Sequence, residues 1–524
     1  MIDSKRRSIC EKRRNYLDGA NAMHLHDYQQ YDATGLAELI RRQEVSQAEV
    51  FDAAMNAIEA LNPSLHAVVR TRFEKAKHEC DHVSENSVFA GVPTLSKDLL
   101  MALAGERLAF GSSSLSAWCP KEDSLLIQRV RAAGLVVVGQ TATPELGLMG
   151  ITEPKAFPHP QNPWREGYSP GGSSGGAAAA VASGMVPIAL AGDGGGSIRI
   201  PASYCGLFGF KPSRGRVPLA PAHGEVWQGA VVEHAITRSV RDSAALLEQI
   251  NGMAPSGPYP VPRETGYVDA LSASSKPLRI AVSLGNFLSY GLDTQLSADV
   301  KIAVEKAAKA LADMGHEVEW CEPPVDGDAL ADSYLTLYLG HLAADLQWVS
   351  QQTGVPVQRL AIEPSTRAVG RLGAKLSARD YELAKRYWHV AGEQMSQFHQ
   401  RYDVLVMPVA ADTAPKIGEL YPSAARERLM SLLAIPGLPS LALKAGMLKR
   451  LAVDALSRTP FTQLANLTGQ PAMSVPFHIA ANGLPVGVQV VGRLGEDKQL
   501  LQLAADMERH GDWQCPVYQQ ALGS

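Results

Sequence analysis

The chain has 524 residues, and 46% of them are hydrophobic, which is enough apolar side chain for a large core. Its formal net charge of −4 argues against a general attraction to nucleic acid or to an anionic membrane surface. The six cysteines are scattered without a C-x-x-C pair, which argues against a disulfide framework and a zinc ribbon and favours a reducing cytoplasm.

The N-terminal stretch MIDSKRRSICEKRRNYLDG is basic and lacks the apolar segment of a signal peptide, so residues 1–25 are predicted to form a loose arm. Two helices are predicted next, in DATGLAELIRRQEVSQAEVFDAAMNAIEALNP. The second begins with a capping box formed by Ser46 and Glu49 and is expected to end before Pro63. The longest stretches without charged residues, 167–192 and 459–492, are broken by proline and glycine and would make poor transmembrane helices.

Short apolar runs with nearby glycines predict buried strands in GLVVVGQT and MVPIALAGD, and AAAAVASG before the second strand predicts a helix of small residues. Residues 251–277 are rich in Pro, Gly and Ser and separate two halves of the chain. The second half begins with a predicted β-α-β unit, LRIAVSL, SADVKIAVEKAAKALADMGH and EVEWCE. A helix that begins with Ser377-x-x-Asp380, the strands DVLVMPV and VGVQVVG, and the helix EDKQLLQLAADMERH follow. This alternation predicts an α/β sheet sandwiched by helices.

The sequence HECDH at residues 78–82 matches the zinc-protease pattern H-E-x-x-H. The apolar stripe of this predicted helix includes Ala76 and Cys80, which places His78 and His82 largely on the solvent side. A catalytic metal would need ligands that face a cleft, and no third ligand stands out. A solvated helix face is therefore preferred over a metal site.

The stretch SPGGSSGG contains two serines that fit the nucleophile pattern G-x-S-x-G, namely Ser173 and Ser174. Composition alone would predict a flexible spacer there.

A second glycine-rich stretch, AGDGGGSIRIPAS, follows the strand that ends at Asp193. Successive glycines allow backbone N–H groups to converge on one point, and such a loop binds anions. With Ser197 at its end, the loop has the parts that acyl transfer needs, a hydroxyl nucleophile beside donors for an oxyanion. Asp193 and Arg199 could pair across the loop. The alternative is an ordinary glycine turn with an exposed serine.

A serine nucleophile needs a base, and none of the 14 histidines lies in these glycine-rich segments. His223, His234 and His341 keep an α/β-hydrolase triad open, whereas the S-x-x-K pattern of penicillin-binding proteins is absent. A buried lysine can also act as a base, and Lys97 in GVPTLSKDLL follows an apolar run. The alternative for Lys97 is a side chain that extends from a strand end to solvent.

These segments resemble the amidase signature family. Residues 91–100 resemble its G-[VI]-P-x-x-x-K-D segment, GQTATPELGL its GKTNxxE segment, and residues 168–212, ending GSIRIPASYCGLFGFKPS, its signature. NLTGQPAMSVPF and GLPVGVQVVG resemble its closing motifs, so the resemblance covers residues 32–510. It implies a large twisted mixed β-sheet core sandwiched by α-helices. Residues 26–524 would form one domain, with a signature core at about 85–250, a variable substrate-shaping part at about 278–460 and closing motifs at 461–510.

The resemblance also implies the roles of single residues. Ser197 would be the nucleophile, Lys97 the base, and Ser173, after a cis peptide bond, the bridge between them. The oxyanion would be bound by the backbone N–H groups of Gly194, Gly195, Gly196 and Ser197. The loop would be supported by the side chains of Asp193, Arg199 and Ser174. No metal or organic cofactor is required. The expected enzyme is an amidase with a small-molecule amide substrate.

Three positions depart from the family pattern. Gly192 replaces a common Ser or Thr, which removes one hydrogen bond, and Gly194 replaces a bulkier residue, so a softer loop is expected. Ala177 replaces a frequent Ser, a change that we cannot connect to chemistry.

The segment TEPKAFPHPQNPW resembles the branch that contains aminohexanoate (nylon oligomer) hydrolases and aryl-amide hydrolases. The apolar segment 430–456 is predicted to line or cover an acyl pocket for hydrophobic, aryl or alkyl amides, with core or homodimer packing as the alternative. Further pocket candidates are Trp118, His159, Trp227 and Tyr338. Esters are expected to react as well. The alternative functions are a glutamine-hydrolysing A subunit of a tRNA-dependent amidotransferase, which needs companion subunits, and a catalytically silent scaffold.

Overall fold

The computed structural model describes residues 23–288, 294–435, 437–444 and 456–511. The helices are α1 Leu25–Gln29, α2 Ala33–Arg41, α3 Gln47–Leu65, α4 Phe73–Cys80, α5 Leu125–Ala132, α6 Gly175–Ala182, α7 Arg199–Cys205, α8 Val240–Ile250, α9 Tyr267–Ala270, α10 Ala298–Asp313, α11 Gly327–Thr353, α12 Pro364–Gly373, α13 Ala378–Arg401, α14 Ala424–Ser431, α15 Leu438–Lys444, α16 Gln463–Thr468 and α17 Asp497–His510. Short 3₁₀ turns are Ser113–Leu115, Glu145–Gly147, Trp227–Gly229, Val357–Arg359 and Leu432–Ala434.

The strands belong to one mixed sheet, which has 11 strands within the described residues. They are β1 Val68–Thr71, β2 Pro93–Lys97, β3 Val136–Thr141, β4 Ile188–Asp193, β5 Phe208–Lys211, β6 Val232–Thr237, β7 Arg279–Val282, β8 Glu317–Trp320, β9 Val404–Pro408, β10 Ala472–Ile479 and β11 Pro485–Gly492. Their order across the sheet is β1-β3-β2-β4-β6-β5-β10-β11-β9-β7-β8. The central strands β2 and β4 run parallel, so their carboxyl ends lie at the same edge.

The core lies between this sheet and the helices packed on it. Helix α6 is buried along its whole length, because glycine and alanine at nearly every position let its backbone approach the sheet closely. Strands β2, β3 and β4 are buried at almost every residue, as expected for parallel strands covered on both faces. The expected α/β fold with a mixed sheet and helical layers is therefore confirmed.

Most predicted elements are present at their predicted positions. The capping box of α3 is formed, with Ser46 accepting from Glu49 N and Glu49 accepting from Ser46 N. The β-α-β unit is β7, α10 and β8, whose two strands pair in parallel. The prediction that α3 ends before Pro63 was wrong, because the helix continues to Leu65. Pro63 lies in the last turn, where its missing N–H costs the helix only one hydrogen bond.

The histidines of HECDH lie on the solvent side, as the apolar stripe predicts. His78 and His82 are exposed, Ala76 and Cys80 are buried, and α4 ends at Cys80, before the second histidine. Within the described ranges no group of three or more His, Cys, Asp or Glu residues is arranged to bind a metal ion.

Residues 1–22 of the predicted N-terminal arm lie outside the described residues. The arm was predicted to reach residue 25, whereas helix α1 begins at Leu25. Residues 251–277 contain one short helix, α9, in an otherwise irregular connection. Among the helices that the structure describes, none combines the length and the apolar character needed to cross a bilayer.

Candidate active site

A cavity of about 820 Å³ lies at the edge of the sheet where β2 and β4 end. Lys97 is the last residue of β2 and Asp193 the last of β4, so the parallel pairing of these strands brings both to this edge. Ser173, which precedes α6 by two residues, reaches the same place. Lys97, Ser173 and Ser197 all line the cavity, as ligand sites in α/β sheets commonly lie outside the carboxyl ends of strands.

Lys97 and Ser173 are in direct contact. Lys97 Nζ donates to Ser173 Oγ at 2.7 Å and has a longer contact of 3.5 Å with the Gly192 carbonyl oxygen. Both side chains are 2% exposed, and the Gly172–Ser173 peptide bond is cis, as the resemblance implies. Burial lowers the pKa of the Lys97 ammonium to about 7, while Asp193 and Glu233 act in the opposite direction. A substantial fraction of Lys97 is therefore an uncharged amine at neutral pH.

Asp193 organises the loop between β4 and α7. Its carboxylate accepts from Gly196 N at 2.7 Å and Ile198 N at 3.1 Å, and it pairs with Arg199 through Nε and Nη2, both at 2.9 Å. Burial by itself raises the pKa of Asp193, but the charge and hydrogen bonds of Arg199 keep it well below its usual range. The expected pairing of Asp193 with Arg199 is thus present, in a fully buried position.

Arg199 also connects this loop to the C-terminal part of the chain. Its guanidinium donates to the Thr462 carbonyl oxygen and to the side chains of Asn466 and Gln489. Thr462 in turn donates through Oγ1 to the Gly195 carbonyl oxygen at 2.6 Å. These bonds fix the loop from both sides, although the hydroxyl common at position 192 is missing.

The two unusual glycines differ in their surroundings. A Cβ on Gly192 would make only ordinary contacts, the nearest atom being 3.7 Å away. A Cβ on Gly194 would lie 2.9 Å from Val231 Cγ2 and 3.4 Å from Trp227 Cε3. Gly194 therefore leaves room for the Trp227 indole against the loop, which explains why a bulkier residue is absent.

Of the four N–H groups expected at the oxyanion, one is already used. Gly196 N–H donates to Asp193, so it is not available to a substrate. Among the described residues, the N–H groups of Gly194, Gly195 and Ser197 donate to no protein acceptor. The geometry thus narrows the candidate oxyanion donors to these three.

The Ser197 side chain is partly exposed on the cavity wall and has no hydrogen-bond partner among the described residues. The expected bond between the hydroxyls of Ser173 and Ser197 is not formed in this structure. Ser174 N donates to the Ser197 carbonyl oxygen at 3.3 Å, and Ser174 Oγ donates to the Gly192 carbonyl oxygen at 3.2 Å. Two of the three expected groups, Lys97 and Ser173, are therefore in contact, and Ser197 shares their cavity.

The histidine alternatives do not assemble a triad. His234 Nε2 is bonded to Ser243 Oγ, and burial lowers the pKa of His234 to about 3. His341 Nε2 is bonded to the Tyr381 hydroxyl, and His223 lines the cavity without a hydrogen bond to any described serine hydroxyl.

The pocket candidates divide into two groups. Trp227 and Tyr338 line the cavity, with their rings 5.4 Å apart in an edge-to-face arrangement. Trp118 is not on the cavity wall, because it packs behind Phe110 at a ring distance of 6.1 Å. His159 is also absent from the cavity wall.

The apolar segment 430–456 is only partly described, since residues 436 and 445–455 lie outside the described ranges. Met430 and Leu456, at its two ends, line the cavity. Leu433 and Ala442 instead pack in a small apolar cluster with α11 and α12. Both expected roles, pocket wall and core packing, therefore occur within this segment.

Glu233 was not anticipated from the sequence. It lies on β6 directly opposite Gly192, is 2% exposed and lines the cavity. Burial raises the pKa of its carboxyl group to about 8, and Lys97 acts in the opposite direction. Its acidic side chain in an otherwise apolar strand, VVEHAIT, was the available signal, but the pairing with β4 could not be inferred from it.

Comparison with known proteins is consistent with this geometry. The family model described as Amidase matches residues 49–501. A 6-aminohexanoate-cyclic-dimer hydrolase from Pseudomonas sp. (strain NK87) is 35% identical over 495 residues, which cover 92% of this chain and 95% of that protein. Among solved structures, a 6-aminohexanoate cyclic dimer hydrolase complexed with substrate is 32% identical, with a TM-score of 0.82 over 94% of this chain and 100% of that chain. A bacterial aryl acylamidase is 26% identical, with a TM-score of 0.81 over 94% and 99%.

Proposed function

This chain belongs to the amidase family and is an amidohydrolase, and we propose that it cleaves a carboxylic amide through an acyl intermediate on Ser197. The observation that carries the proposal is the buried 2.7 Å hydrogen bond between Lys97 Nζ and Ser173 Oγ, at the sheet edge that also bears the Ser197 loop. A buried amine with a lowered pKa can accept a proton at neutral pH, which an exposed lysine cannot.

In the acylation step, neutral Lys97 takes the hydroxyl proton of Ser173 while Ser173 takes that of Ser197. Ser197 Oγ then forms a bond to the carbonyl carbon, and the carbonyl π electrons move to the oxygen. The N–H groups of Gly194, Gly195 and Ser197 would stabilise this oxyanion. As the tetrahedral intermediate collapses, the C–N bond breaks and the proton returns from Lys97 through Ser173 to the departing nitrogen.

Deacylation repeats the same path with water in place of Ser197. Water loses a proton to Ser173, whose own proton moves to Lys97, and the hydroxide oxygen attacks the acyl carbon. When the second tetrahedral intermediate collapses, the proton returns to Ser197 and the carboxylic acid is released. Each cycle consumes one water and leaves every protein group in its starting protonation state.

For the substrate, we propose hydrophobic alkyl or aryl amides, and esters with comparable acyl groups. The similar proteins are named for 6-aminohexanoate cyclic dimers and for aryl acylamides, which supports this class. Leucine side chains form much of the cavity wall, including Leu99, Leu146 and Leu339, and would bury an alkyl or aryl group.

The experiment is covalent labelling with a fluorophosphonate, followed by intact mass and peptide mapping. We expect one adduct on Ser197 in the wild type and none in Ser197→Ala. A Ser173→Ala variant should be labelled far more slowly, because its nucleophile lacks the proton path to Lys97. Exposed Ser116 supplies the control, and Ser116→Ala should be labelled like the wild type.

Hydrolysis of a panel of aryl, alkyl and cyclic amides, with glutamine included, gives the second measurement. Loss of hydrolysis in Ser197→Ala by at least about 10⁴-fold is expected for a nucleophile. An unlabelled wild type, or an adduct that persists in Ser197→Ala, would refute the proposed mechanism. Hydrolysis of glutamine alone would favour the amidotransferase function instead.

A further inference from the structure

The charge of the cavity wall differs from that of the protein as a whole. Among the described residues, the wall carries seven aspartate or glutamate side chains but one lysine and one arginine. The arginine is Arg426 on α14, and the lysine is Lys97. A cleft lined mainly by one sign of charge attracts ligands of the opposite sign. Burial raises the pKa of Glu233 to about 8 and that of Glu153 to about 7, so these two groups carry little or partial charge at neutral pH. The other five carboxyl groups still outnumber the two basic side chains, and the wall favours a substrate that bears a positive charge.

Most of these carboxyl groups are already engaged by the protein. Glu145 accepts from the Ser112 hydroxyl at 2.7 Å and from Glu363 N at 2.8 Å. Glu363 accepts from Lys155 N and from the Tyr421 hydroxyl. These contacts give both groups structural roles.

Asp345 differs from these two groups, because among the described residues its carboxylate accepts no hydrogen bond from a backbone N–H or a hydroxyl. Burial raises the pKa of its carboxyl group to about 6, and a hydrogen bond from the Trp227 side chain acts against that rise. Since the pKa remains below 7, the group is mostly ionised at neutral pH, without a cation from the protein to balance it.

Aromatic side chains share the helix face that carries this carboxylate. Tyr338, His341, Asp345 and Trp348 follow one another on α11 at spacings of three, four and three residues, so all four lie on the face that lines the cavity. The Trp227 ring packs against the rings of Tyr338 and His341 at 5.4 and 6.3 Å. Burial lowers the pKa of His341 to about 4, so its ring is neutral and does not repel a cation.

Trp227 lies between Asp345 and the loop that bears the nucleophile. The benzene edge of its indole packs against Gly194, where a Cβ would lie 3.4 Å from Cε3, and its side chain bonds to Asp345. A substrate must therefore extend past the indole ring to join Ser197 to Asp345.

We propose that Asp345, with the Trp227 indole and the aromatic face of α11, binds a primary ammonium group at the end of an alkyl arm of the substrate. The amides that this enzyme prefers are then cationic, with their charge several carbons from the scissile bond. An ammonium group there gains a charge-assisted hydrogen bond to the carboxylate and contacts with ring faces. This inference rests on the proposed amidase function and specifies its substrate class.

The test compares isosteric substrates. 6-Aminohexanoyl p-nitroanilide and heptanoyl p-nitroanilide differ by an ammonium in place of a methyl group on the acyl side. The octanoyl amides of 1,6-diaminohexane and of heptylamine make the same comparison on the leaving side. We expect kcat/KM of the wild type to favour the cationic member of at least one pair by roughly 10- to 100-fold.

Asp345→Asn should remove that preference, so that the ratio of kcat/KM for the cationic member to that for the neutral member falls to about one. Asp345→Glu should retain part of it. The matched control is Asp332→Asn, an exposed aspartate on the same helix, which should behave like the wild type. Equal rates for both members of both pairs, or a preference that survives in Asp345→Asn, would overturn the proposal while leaving the amidase function intact.

Calorimetry on Ser197→Ala gives a measurement that does not depend on turnover. Hexylamine should bind this protein at neutral pH, 1-hexanol should bind at least tenfold more weakly, and added salt should weaken the binding of hexylamine. Equal affinities would contradict the ammonium subsite even if the catalytic mechanism proved to be different. Absence of hydrolysis and labelling with intact amine binding would refute the proposed function and retain the subsite.

Discussion

Replacement of Lys97 by methionine is expected to make the protein more stable and inactive at once. Lys97 is 2% exposed, and its ammonium has no carboxylate within ion-pair distance among the described residues. Burial therefore disfavours the protonated form of the amine in the folded state, which lowers stability wherever the unfolded chain carries a protonated lysine. Methionine has a similar length and no charge, so it removes that cost.

The size of the effect follows from the pKa. A fall from 10.5 to about 7 corresponds to about 4–5 kcal/mol, at about 1.4 kcal/mol for each tenfold change in the ionisation constant. The lost hydrogen bond to Ser173 removes about 1 kcal/mol of the gain. At pH 7 the free energy of unfolding of Lys97→Met should thus exceed that of the wild type by about 3 kcal/mol.

The pH dependence identifies the cause. Between pH 7 and pH 10.5 the unfolded chain binds a proton at Lys97 that the folded chain does not, so the stability of the wild type rises with pH across this window. The advantage of Lys97→Met should be largest at or below pH 7 and disappear towards pH 10.5. An exposed lysine on α10 provides the control, and Lys301→Met should change neither stability nor its pH dependence.

The assay is urea unfolding of both proteins from pH 6 to pH 10, with the free energies of unfolding fitted at a shared m value. Activity is measured in parallel as kcat on a reactive anilide. Activity of Lys97→Met should fall by at least about 10⁴-fold, as expected when a general base is removed. A variant less stable than the wild type at pH 7, or an advantage that does not change between pH 6 and pH 10, would refute the inference that Lys97 is kept neutral by burial.

Three further changes test other parts of the site. Glu233→Gln removes a carboxyl group whose ionised form raises the pKa of Lys97. Because burial keeps most of that carboxyl group protonated near pH 7, the acid limb of the kcat/KM profile should move only slightly to lower pH, and a shift of one pH unit or more would mean that Glu233 is ionised beside Lys97. Arg199→Met leaves a buried carboxylate without its partner and should lower the free energy of unfolding by roughly 3–5 kcal/mol in urea titrations. Gly196→Ala should lower kcat/KM at least about 100-fold, because φ at this residue is +124° and a Cβ would lie 2.3 Å from the Thr462 hydroxyl. Gly192→Ala, where a Cβ has open space, should keep kcat/KM within a few-fold of the wild type, and equal losses in the two variants would contradict this explanation.

Features that depend on neighbours in sequence could be predicted from the sequence. The capping box at Ser46, the short apolar strands and the glycine run before Ser197 express local preferences of the backbone, and the structure contains each of them. The exposed position of His78 followed from helical periodicity in the same way. The roles of Lys97 and Ser173 came from a resemblance, because nothing in their local sequence indicates that they meet.

Features that depend on the order of strands required the tertiary structure. Lys97 and Ser173 are 76 residues apart, and their contact arises because the turn before α6 reaches the edge of the sheet where β2 ends. Glu233 faces the same site only because β6 pairs with β4, and Asp345 meets Trp227 only because α11 packs over the cavity. Burial, and with it the pKa of each of these groups, is a property of everything packed around a side chain, so a short stretch of sequence does not contain it.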